Sequence, residues 1–168
     1  MLDFLQLIYL KCNAGGGGGA YLLEDNHFIS FSSSLFRNNS AYRGGGLNVF
    51  QDHSNISLTD VYFSGNVAIN TVTGLEISFR NVNIILIRCH FIRNVADFNG
   101  GALRLYDGNN QIQLIECEFS KNIAGYGAGL AVFRANYNFL IRNCTFVGNL
   151  AKNEGDPDFD GESKERYM

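Results

Sequence analysis

The sequence predicts an all-β fold, a right-handed parallel β-helix of about five to six coils over residues 5–151. Three observations support this prediction. A phenylalanine recurs every 27 or 28 residues, apolar residues within each repeat lie two apart, and glycine-rich turns separate the apolar segments. Strands of neighbouring coils would lie about 4.8 Å apart, so equivalent residues are expected to form ladders along the axis.

The aromatic residue of each repeat is predicted to point into the coil and stack on its counterparts; the column contains Phe36, Phe63, Phe91, Phe119 and Phe146. An asparagine follows three residues later each time, at Asn39, Asn66, Asn94, Asn122 and Asn149. We place it at a bend between strands, where its amide can bond to the next amide and to turn backbone. Leu10 and Asn13 are interpreted as a degenerate earlier copy of the same pair.

Glycines stand before the apolar segment of most repeats, as in GGGL at 44–47 and GGAL at 100–103. They are predicted to supply positive φ and to let the next coil approach closely. The crossover rule for parallel strands predicts the right-handed winding.

Three cysteines share one column two residues before the phenylalanine, at Cys89, Cys117 and Cys144. We predict buried free thiols that fill space as Val61 does in the same column. The distance between rungs would also allow one disulfide within the column. No Cys-x-x-Cys pair or neighbouring histidine completes a metal site, so no metal is expected.

Charged residues flank the cysteine column on the outward side. Arg88 is expected to lie between Asp60 and Glu116 and to pair with them. Glu116 and Glu118, with His90 alongside, could instead form the two-carboxylate arrangement of a glycosidase, which requires carboxyl groups about 5–9.5 Å apart. A solvated, self-paired face is the preferred interpretation, so no catalytic residue and no cofactor is predicted.

The most apolar outward strip contains Tyr21, Leu23, Phe50, Phe79, Tyr106 and Phe133. Long apolar strips seldom face water without a reason. Either loops at 51–55, 107–111 and 134–138 fold back over the strip, or the strip binds a partner protein or a glycan, contacts in which aromatic residues are favoured.

Composition narrows the class of protein. The chain has 168 residues, 46% of them hydrophobic and 17% charged, with a net charge of −3. This composition favours a packed core and gives no reason to expect nucleic-acid binding. No apolar run is long enough for a membrane-spanning helix. Residues 152–168 are predicted to be a charged disordered tail or linker, with a polar cap over the last coil as the alternative.

Glycosylation sequons begin at Asn38, Asn55 and Asn143, all at predicted outward or turn positions. They are compatible with secretion from a eukaryotic cell and do not establish it.

The repeats resemble those of the polymorphic outer membrane proteins of chlamydiae, which carry tandem FxxN and GGA(I/L/V) motifs. The corresponding segments are FRNN (36–39), FSGN (63–66), FIRN (91–94), FSKN (119–122) and FVGN (146–149), with GGAL at 100–103. The resemblance implies a surface-exposed, autotransporter-passenger-like β-helix associated with adhesion to host cells. Similar repeats also occur in large predicted extracellular proteins of eukaryotes. We expect the chain to be continuous with further β-helix sequence.

The expected function is therefore a non-catalytic adhesion or binding module at the cell surface or outside the cell, in the outer membrane if the source is bacterial. A host-cell protein or glycan would be its ligand. Two alternatives remain: a carbohydrate-active β-helix enzyme, a lyase or glycoside hydrolase, and a purely structural spacer. The enzyme predicts a groove where charged residues of neighbouring coils converge, and the spacer predicts no coherent exposed patch.

Overall fold

The computed structural model describes residues 2–5, 8–10, 13–69 and 73–153, and these residues form a parallel β-solenoid. The all-β parallel fold predicted from the repeats is confirmed: every strand pairing is parallel, and the described residues contain no helix. Each coil visits four sheets in the same order, so a strand pairs with the equivalent strands of the coils before and after it.

The four sheets are built as follows, with strands numbered along the chain. The first sheet contains β1 (Leu2–Leu5), β5 (His27–Ser32), β9 (Ser54–Thr59), β13 (Val82–Ile87), β17 (Asn110–Ile115) and β21 (Tyr137–Arg142). The second contains β2 (Ile8–Leu10), β6 (Leu35–Arg37), β10 (Tyr62–Ser64), β14 (His90–Ile92), β18 (Glu118–Ser120) and β22 (Thr145–Val147). The third contains β3 (Asn13–Gly16), β7 (Ser40–Arg43), β11 (Val67–Ala68), β15 (Val95–Ala96), β19 (Ile123–Ala124) and β23 (Leu150–Ala151). The fourth contains β4 (Ala20–Glu24), β8 (Leu47–Gln51), β12 (Leu75–Ser78), β16 (Leu103–Tyr106) and β20 (Leu130–Phe133).

The register of the strands follows the sequence repeat, except in the first coil. Phe63 lies opposite both Phe36 and Phe91 in the second sheet. In the first coil, however, Tyr9 lies opposite Phe36, and Asn13 lies opposite Ser40. The interpretation of Leu10 and Asn13 as the earlier phenylalanine–asparagine pair was therefore wrong by one residue. The strands also begin at Leu2, ahead of the predicted start at residue 5.

The core is a column of stacked rings. The centroids of Phe36 and Phe63, of Phe63 and Phe91, and of Phe91 and Phe119 are each 4.9 Å apart, with nearly parallel planes. The spacing matches the distance between strands, because each ring rises by one rung per coil. All four of these rings are fully buried, and burial of each is worth about 1.5–3 kcal/mol. Phe146 continues the column at 4.6 Å from Phe119.

The predicted asparagine ladder lies beside the rings and is fully hydrogen-bonded. The Asn94 side-chain amide donates to Oδ1 of Asn122 at 3.0 Å and to the carbonyl of Phe63 at 2.9 Å. Oδ1 of Asn122 also accepts the backbone N–H of Asn94 at 3.0 Å. Each buried amide thus has partners on both sides, which avoids a desolvation cost of about 1–3 kcal/mol.

A second ladder, which the sequence reasoning missed, lies at the bend between the fourth and first sheets. It contains His53, Asn81, Asn109 and Asn136, spaced like the first ladder. The side-chain amide of Asn81 donates to Oδ1 of Asn109 at 3.0 Å, and Asn109 repeats this contact to Asn136 at 2.9 Å. The recurrence of asparagine at 81, 109 and 136 was visible in the sequence, but His53 interrupts it.

The bends of the solenoid depend less on glycine than the sequence analysis predicted. Nineteen of the described non-glycine residues have positive φ, including the equivalent corner residues Ser33, Asp60, Arg88, Glu116 and Asn143. Asparagine and aspartate tolerate this region because their short side chains can hydrogen-bond locally. Several glycines instead allow close approach: a Cβ on Gly46 would lie 2.4 Å from the carbonyl oxygen of Gly74 in the next coil. The prediction that glycines allow neighbouring coils to approach closely is confirmed. The prediction that glycines supply positive φ holds for only some of the bends, because non-glycine residues adopt it at the others.

The cysteine column contains free thiols at Cys89, Cys117 and Cys144. Each donates to backbone carbonyls, as Cys89 does to Leu58 at 3.4 Å. A hydrogen bond with Cys144 lowers the pKa of the Cys117 thiol, but a hydrogen bond with Cys89 and burial outweigh it and raise that pKa to about 12. The Cys117 thiol therefore stays protonated at neutral pH and fills space between its neighbours.

The inward side chains become accessible in the last coil. Phe146 is 37% exposed, whereas its counterpart Phe119 is fully buried. The predicted tail, 152–168, lies outside the described residues from 154 onward.

Candidate binding site

The outward face of the fourth sheet has a character different from that of the other sheets. In β8, β12 and β16, Leu47, Leu75 and Leu103 and the residues two positions later point into the core. The side chains between them point outward, as the strand period requires. These outward side chains are nonetheless almost buried, because bulky residues at the following positions flank them.

Five aromatic rings form a continuous row along this face, with one ring from each coil. Neighbouring centroids lie 6.2 Å apart for Tyr21 and Phe50, and 5.4 Å for Phe50 and Phe79. The row continues at 5.3 Å from Phe79 to Tyr106 and at 6.2 Å from Tyr106 to Phe133. Tyr21 is 43% exposed and the other four rings are half-buried, so solvent reaches the row. We call these five residues the aromatic row.

The aromatic row bends around Ser78. The register places Ser78 opposite Tyr106, where a ring would otherwise stand. Ser78 is buried and its hydroxyl donates to Glu76 at 3.1 Å. Phe79, at a φ of 39°, supplies the ring from the next position along the chain. Leu22 lies opposite the core residue Val49, so the next residue, Leu23, points outward and is 54% exposed. Leu23 therefore extends the predicted strip at the edge of the fourth sheet.

A buried ion pair lies beside the aromatic row. Nη1 of Arg104 is 2.9 Å from Oε1 of Glu76, and the two residues lie opposite each other on adjacent coils. Asn48, opposite Glu76 on the other side, approaches its Oε2 at 3.4 Å. The guanidinium of Arg104 also lies 4.3 Å from the Tyr106 ring centroid and 5.0 Å from that of Phe133.

The sequence reasoning missed this polar group. The signal was present, because Asn48, Glu76 and Arg104 each stand between two core residues of the repeat. Three polar residues at one repeat position, two of them with opposite charges, indicate cross-strand pairing.

The aromatic row and the ion pair border an open pocket of about 440 Å³, which we call the groove. Its lining comprises Gly16, Tyr21, Arg43, Asn48, Phe50, Glu76, Ser78, Phe79, Arg104 and Tyr106. Two buried polar atoms in this wall, Oδ1 of Asn48 and Nε of Arg104, have no hydrogen-bond partner. Buried polar atoms are seldom left unpaired, so these two atoms are exceptions in the wall behind the groove.

The electrostatics of the groove are dominated by arginine. Burial lowers the pKa of the Arg104 guanidinium, and the charge of Glu76 opposes that effect. Burial, with the negative charge of Glu76, also raises the pKa of Tyr21, so the phenol is neutral at physiological pH. Arg43 is exposed at the groove and belongs to none of the ion pairs found among the described residues.

The loops predicted to cover the strip are not long loops. Strands begin or end within each of the segments 51–55, 107–111 and 134–138, which leaves connections of only two residues after β8 and three after β16 and β20. These connections carry the second ladder, and a ladder requires tight, repeated turns. From one of them Arg134 reaches to 5.5 Å from the Tyr106 ring centroid.

The other charged face pairs with itself. Arg88 forms a two-bond ion pair with Asp60, with Nε to Oδ1 at 2.7 Å and Nη2 to Oδ2 at 2.9 Å. This pair lowers the pKa of Asp60. Nδ1 of His90 lies 3.1 Å from Oε2 of Glu118, and a hydrogen bond from Ser120, together with His90, lowers the pKa of that carboxyl.

This face offers little for catalysis. Glu116 stands exposed at a corner with a φ of 54°. Glu118 is engaged by His90 and Ser120. No group of three metal-ligating side chains occurs in the part of the chain that the structure describes.

The sequon asparagines all have positive φ. Asn38 and Asn143 are exposed, whereas Asn55 is half-buried and its Oδ1 accepts from Asn83 at 2.7 Å.

Comparison with protein-family models, curated proteins and solved structures found no match to this chain. Across the described ranges, no helix is long and apolar enough to cross a membrane.

Proposed function

We propose that this protein is a non-catalytic binding module, a rigid solenoid that presents the groove and the aromatic row of its fourth sheet to a ligand. The observation that carries the proposal is the continuous row of five solvent-accessible rings beside an open pocket. A spacer would have no need for such a row, because exposed aromatic surface costs solubility without adding to the core.

The construction of the scaffold supports a binding role. The ring column, both asparagine ladders and the buried ion pair fix the backbone on either side of the groove. Rigid side chains lose little conformational entropy when they bind, so a preformed surface of this kind favours affinity. Aromatic residues and arginine are also the residue types that carry most binding energy in interfaces.

We further propose that the module is displayed at the cell surface or outside the cell and acts in adhesion, as the resemblance of its repeats to polymorphic outer membrane proteins implies. A host-cell protein or glycan is the ligand expected from that resemblance. The fold is compatible with this role, and the repeat motifs FIRN and FSKN are its support in the sequence.

A carbohydrate-active enzyme is the second candidate, because charged residues of neighbouring coils do converge in the groove. The chemistry favours binding over hydrolysis. Glu76 is the only carboxylate in the described lining, and it is held by Arg104, Ser78 and Asn48. Hydrolysis by the usual route requires a second carboxylate opposite the first.

The binding proposal is tested with the whole chain on arrays of glycans and cell-surface proteins. The double variant Tyr21→Ser/Tyr106→Ser removes two rings of the row, and Tyr137→Ser, at a tyrosine 57% exposed on the first sheet, is the matched control. We expect ligands of the wild type to be lost by the double variant and retained by the control. Equal binding by all three proteins, or no ligand at all, would contradict the proposal.

The enzymatic alternative is tested with a panel of polysaccharide lyase and hydrolase substrates. Glu76→Gln, Glu116→Gln and Glu118→Gln are assayed beside the wild type. We expect no turnover from any of them. Turnover by the wild type that one of these variants abolishes would replace the binding proposal with an enzymatic one.

A further inference from the structure

The charge in the groove differs in sign from that of the chain. The chain has a net charge of −3. The charged side chains that line the groove are two arginines and one glutamate, so the lining is net positive. Arg104 neutralises Glu76, whereas Arg43 at the mouth takes part in none of the ion pairs within the described part of the chain. The nearest exposed carboxylate on the same strand as Tyr21 is Glu24, which accepts a hydrogen bond from Gln51 at 3.0 Å.

The aromatic row determines the shape of a ligand that would use it. Each coil contributes one ring, and neighbouring centroids are separated by 5.3–6.2 Å. A ligand that touches several rings must therefore extend along the solenoid axis as a linear chain with repeated apolar faces. The C–H faces of linked pyranose rings meet that requirement, and aromatic side chains present a flat apolar surface with polar edges to them.

Two polar atoms in the wall behind the rings lack a hydrogen-bond partner. Oδ1 of Asn48 and Nε of Arg104 are buried and unpartnered, one an acceptor and the other a donor. Both residues are at least nine-tenths buried, with 3% and 9% of their surfaces exposed. Both atoms are shielded from solvent, so a sugar hydroxyl would reach them only if the side chains that cover them moved.

From these features we infer that the groove binds an acidic oligosaccharide, a linear glycan whose sugars carry carboxylate groups. The inference rests on the proposed binding function. Arg43 pairs with a carboxylate of the glycan, because a guanidinium presents two parallel N–H donors to such a group. The rings contact the sugar faces on either side.

The test is calorimetry of the full chain with an oligogalacturonate hexasaccharide, with the same hexasaccharide fully methyl-esterified, and with a sulfated, carboxylate-free hexasaccharide. The first two ligands have the same sugars and linkages, and the ester replaces each charged carboxylate with a neutral methyl ester. We expect the acid to bind at least about tenfold more tightly than its ester and than the sulfated glycan, and to lose affinity as NaCl is raised. Galacturonic acid alone should bind far more weakly than the hexasaccharide, because it meets one ring.

The variant Arg43→Gln should lose about tenfold in affinity for the acid and keep its affinity for the ester. Arg37→Gln, at an exposed arginine of β6 on the second sheet, is the control and should bind the acid as the wild type does. Equal binding of acid and ester would overturn the inference while leaving a glycan-binding function intact. Preference for the sulfated glycan would also overturn it. If no glycan binds but the aromatic row captures a protein ligand, the inference of an acidic oligosaccharide is overturned and the proposed binding function still holds.

Discussion

The carboxylate of Glu76 and the guanidinium of Arg104 lie 2.9 Å apart on adjacent coils, with side chains only 5% and 11% exposed. Two opposite charges have thus been removed from water together on the outer face of a sheet. Removal of both from solvent is costly, and only their mutual attraction and further hydrogen bonds offset that cost. The pair therefore couples two coils at the wall of the groove.

Removal of one member of the Glu76–Arg104 pair should destabilise the protein much more than replacement of both members. Arg104→Met leaves Glu76 buried and unpaired, and we expect it to lower the free energy of unfolding by about 3–5 kcal/mol. Glu76→Leu should act similarly, and the double variant should recover most of the loss. Urea denaturation measures all three. The exposed pair Arg88–Asp60 provides the comparison, since Arg88→Met should have a far smaller effect. Additive single-variant effects would contradict the coupling.

The ring column should be most sensitive at its centre. Phe91 stacks on Phe63 and on Phe119, each at 4.9 Å, and is fully buried. We expect Phe91→Ala to cost about 3–5 kcal/mol because it leaves a cavity between two rings. Phe146→Ala is the same change at the end of the column, where the ring is 37% exposed, and should cost less than half as much. Equal losses of stability for the two variants, in thermal or in urea unfolding, would contradict the difference in burial between the two rings.

Glycine should be required where the coils touch. A Cβ on Gly46 would lie 2.4 Å from a backbone oxygen and 2.9 Å from the Phe63 ring, neither of which can move without disturbing the core. Gly46→Ala should therefore destabilise the protein by at least about 1–3 kcal/mol. Gly16→Ala meets no atom within 4 Å and should leave the unfolding midpoint nearly unchanged. Comparable midpoints for the two variants would contradict the close approach.

His53 should give the protein a pH-dependent stability. Its Nδ1 accepts the backbone N–H of Asn26 at 3.0 Å, so Nε2 carries the proton and donates to the carbonyl of Leu22 at 3.2 Å. In this arrangement Nδ1 replaces the acceptor, and Nε2 the donor, of a ladder asparagine. Burial lowers the pKa of His53 below 6.5, and a proton on Nδ1 would face the Asn26 donor.

The sign of the effect follows from linkage. Below about pH 6.5 the unfolded chain takes up a proton that the native state resists, so stability falls with decreasing pH until the native histidine is protonated. Above that pH both states are neutral and His53 has no effect. His53→Asn should remove this part of the pH dependence, and His27→Asn, at an exposed histidine, should retain it. Urea midpoints between pH 7.5 and pH 5 provide the measurement. If the urea midpoint of His53→Asn depends on pH as that of the wild type does, His53 is not the cause of the pH dependence.

The repeat made most of the fold predictable. Phe91, Asn94 and Cys89 lie at positions that recur in neighbouring coils, and an in-register solenoid is the arrangement that brings such positions together. The second ladder was not predicted because histidine stands at position 53 in place of asparagine. The two ring nitrogens of His53 lie where they can make the hydrogen bonds of a ladder asparagine. Side-chain geometry, rather than residue type, makes that substitution acceptable.

The binding surface was predictable only in part. The sequence named Tyr21, Phe50, Phe79, Tyr106 and Phe133 as an outward aromatic strip, since each lies at or beside one repeat position. It could not show that the connections after β8, β16 and β20 are short and leave the rings accessible. It also could not show that Glu76 and Arg104 are nearly buried, because burial of an outward side chain depends on its neighbours in three dimensions.

The sequence by itself determined the period, the identity of the stacked residues and, from Phe36 onward, the register of the coils, because equivalent positions of a clear repeat align in only one way. The tertiary structure decided which outward side chains enclose a groove and how their charges pair. Those properties arise between coils about 4.8 Å apart, where residues 28 positions distant in the chain become neighbours.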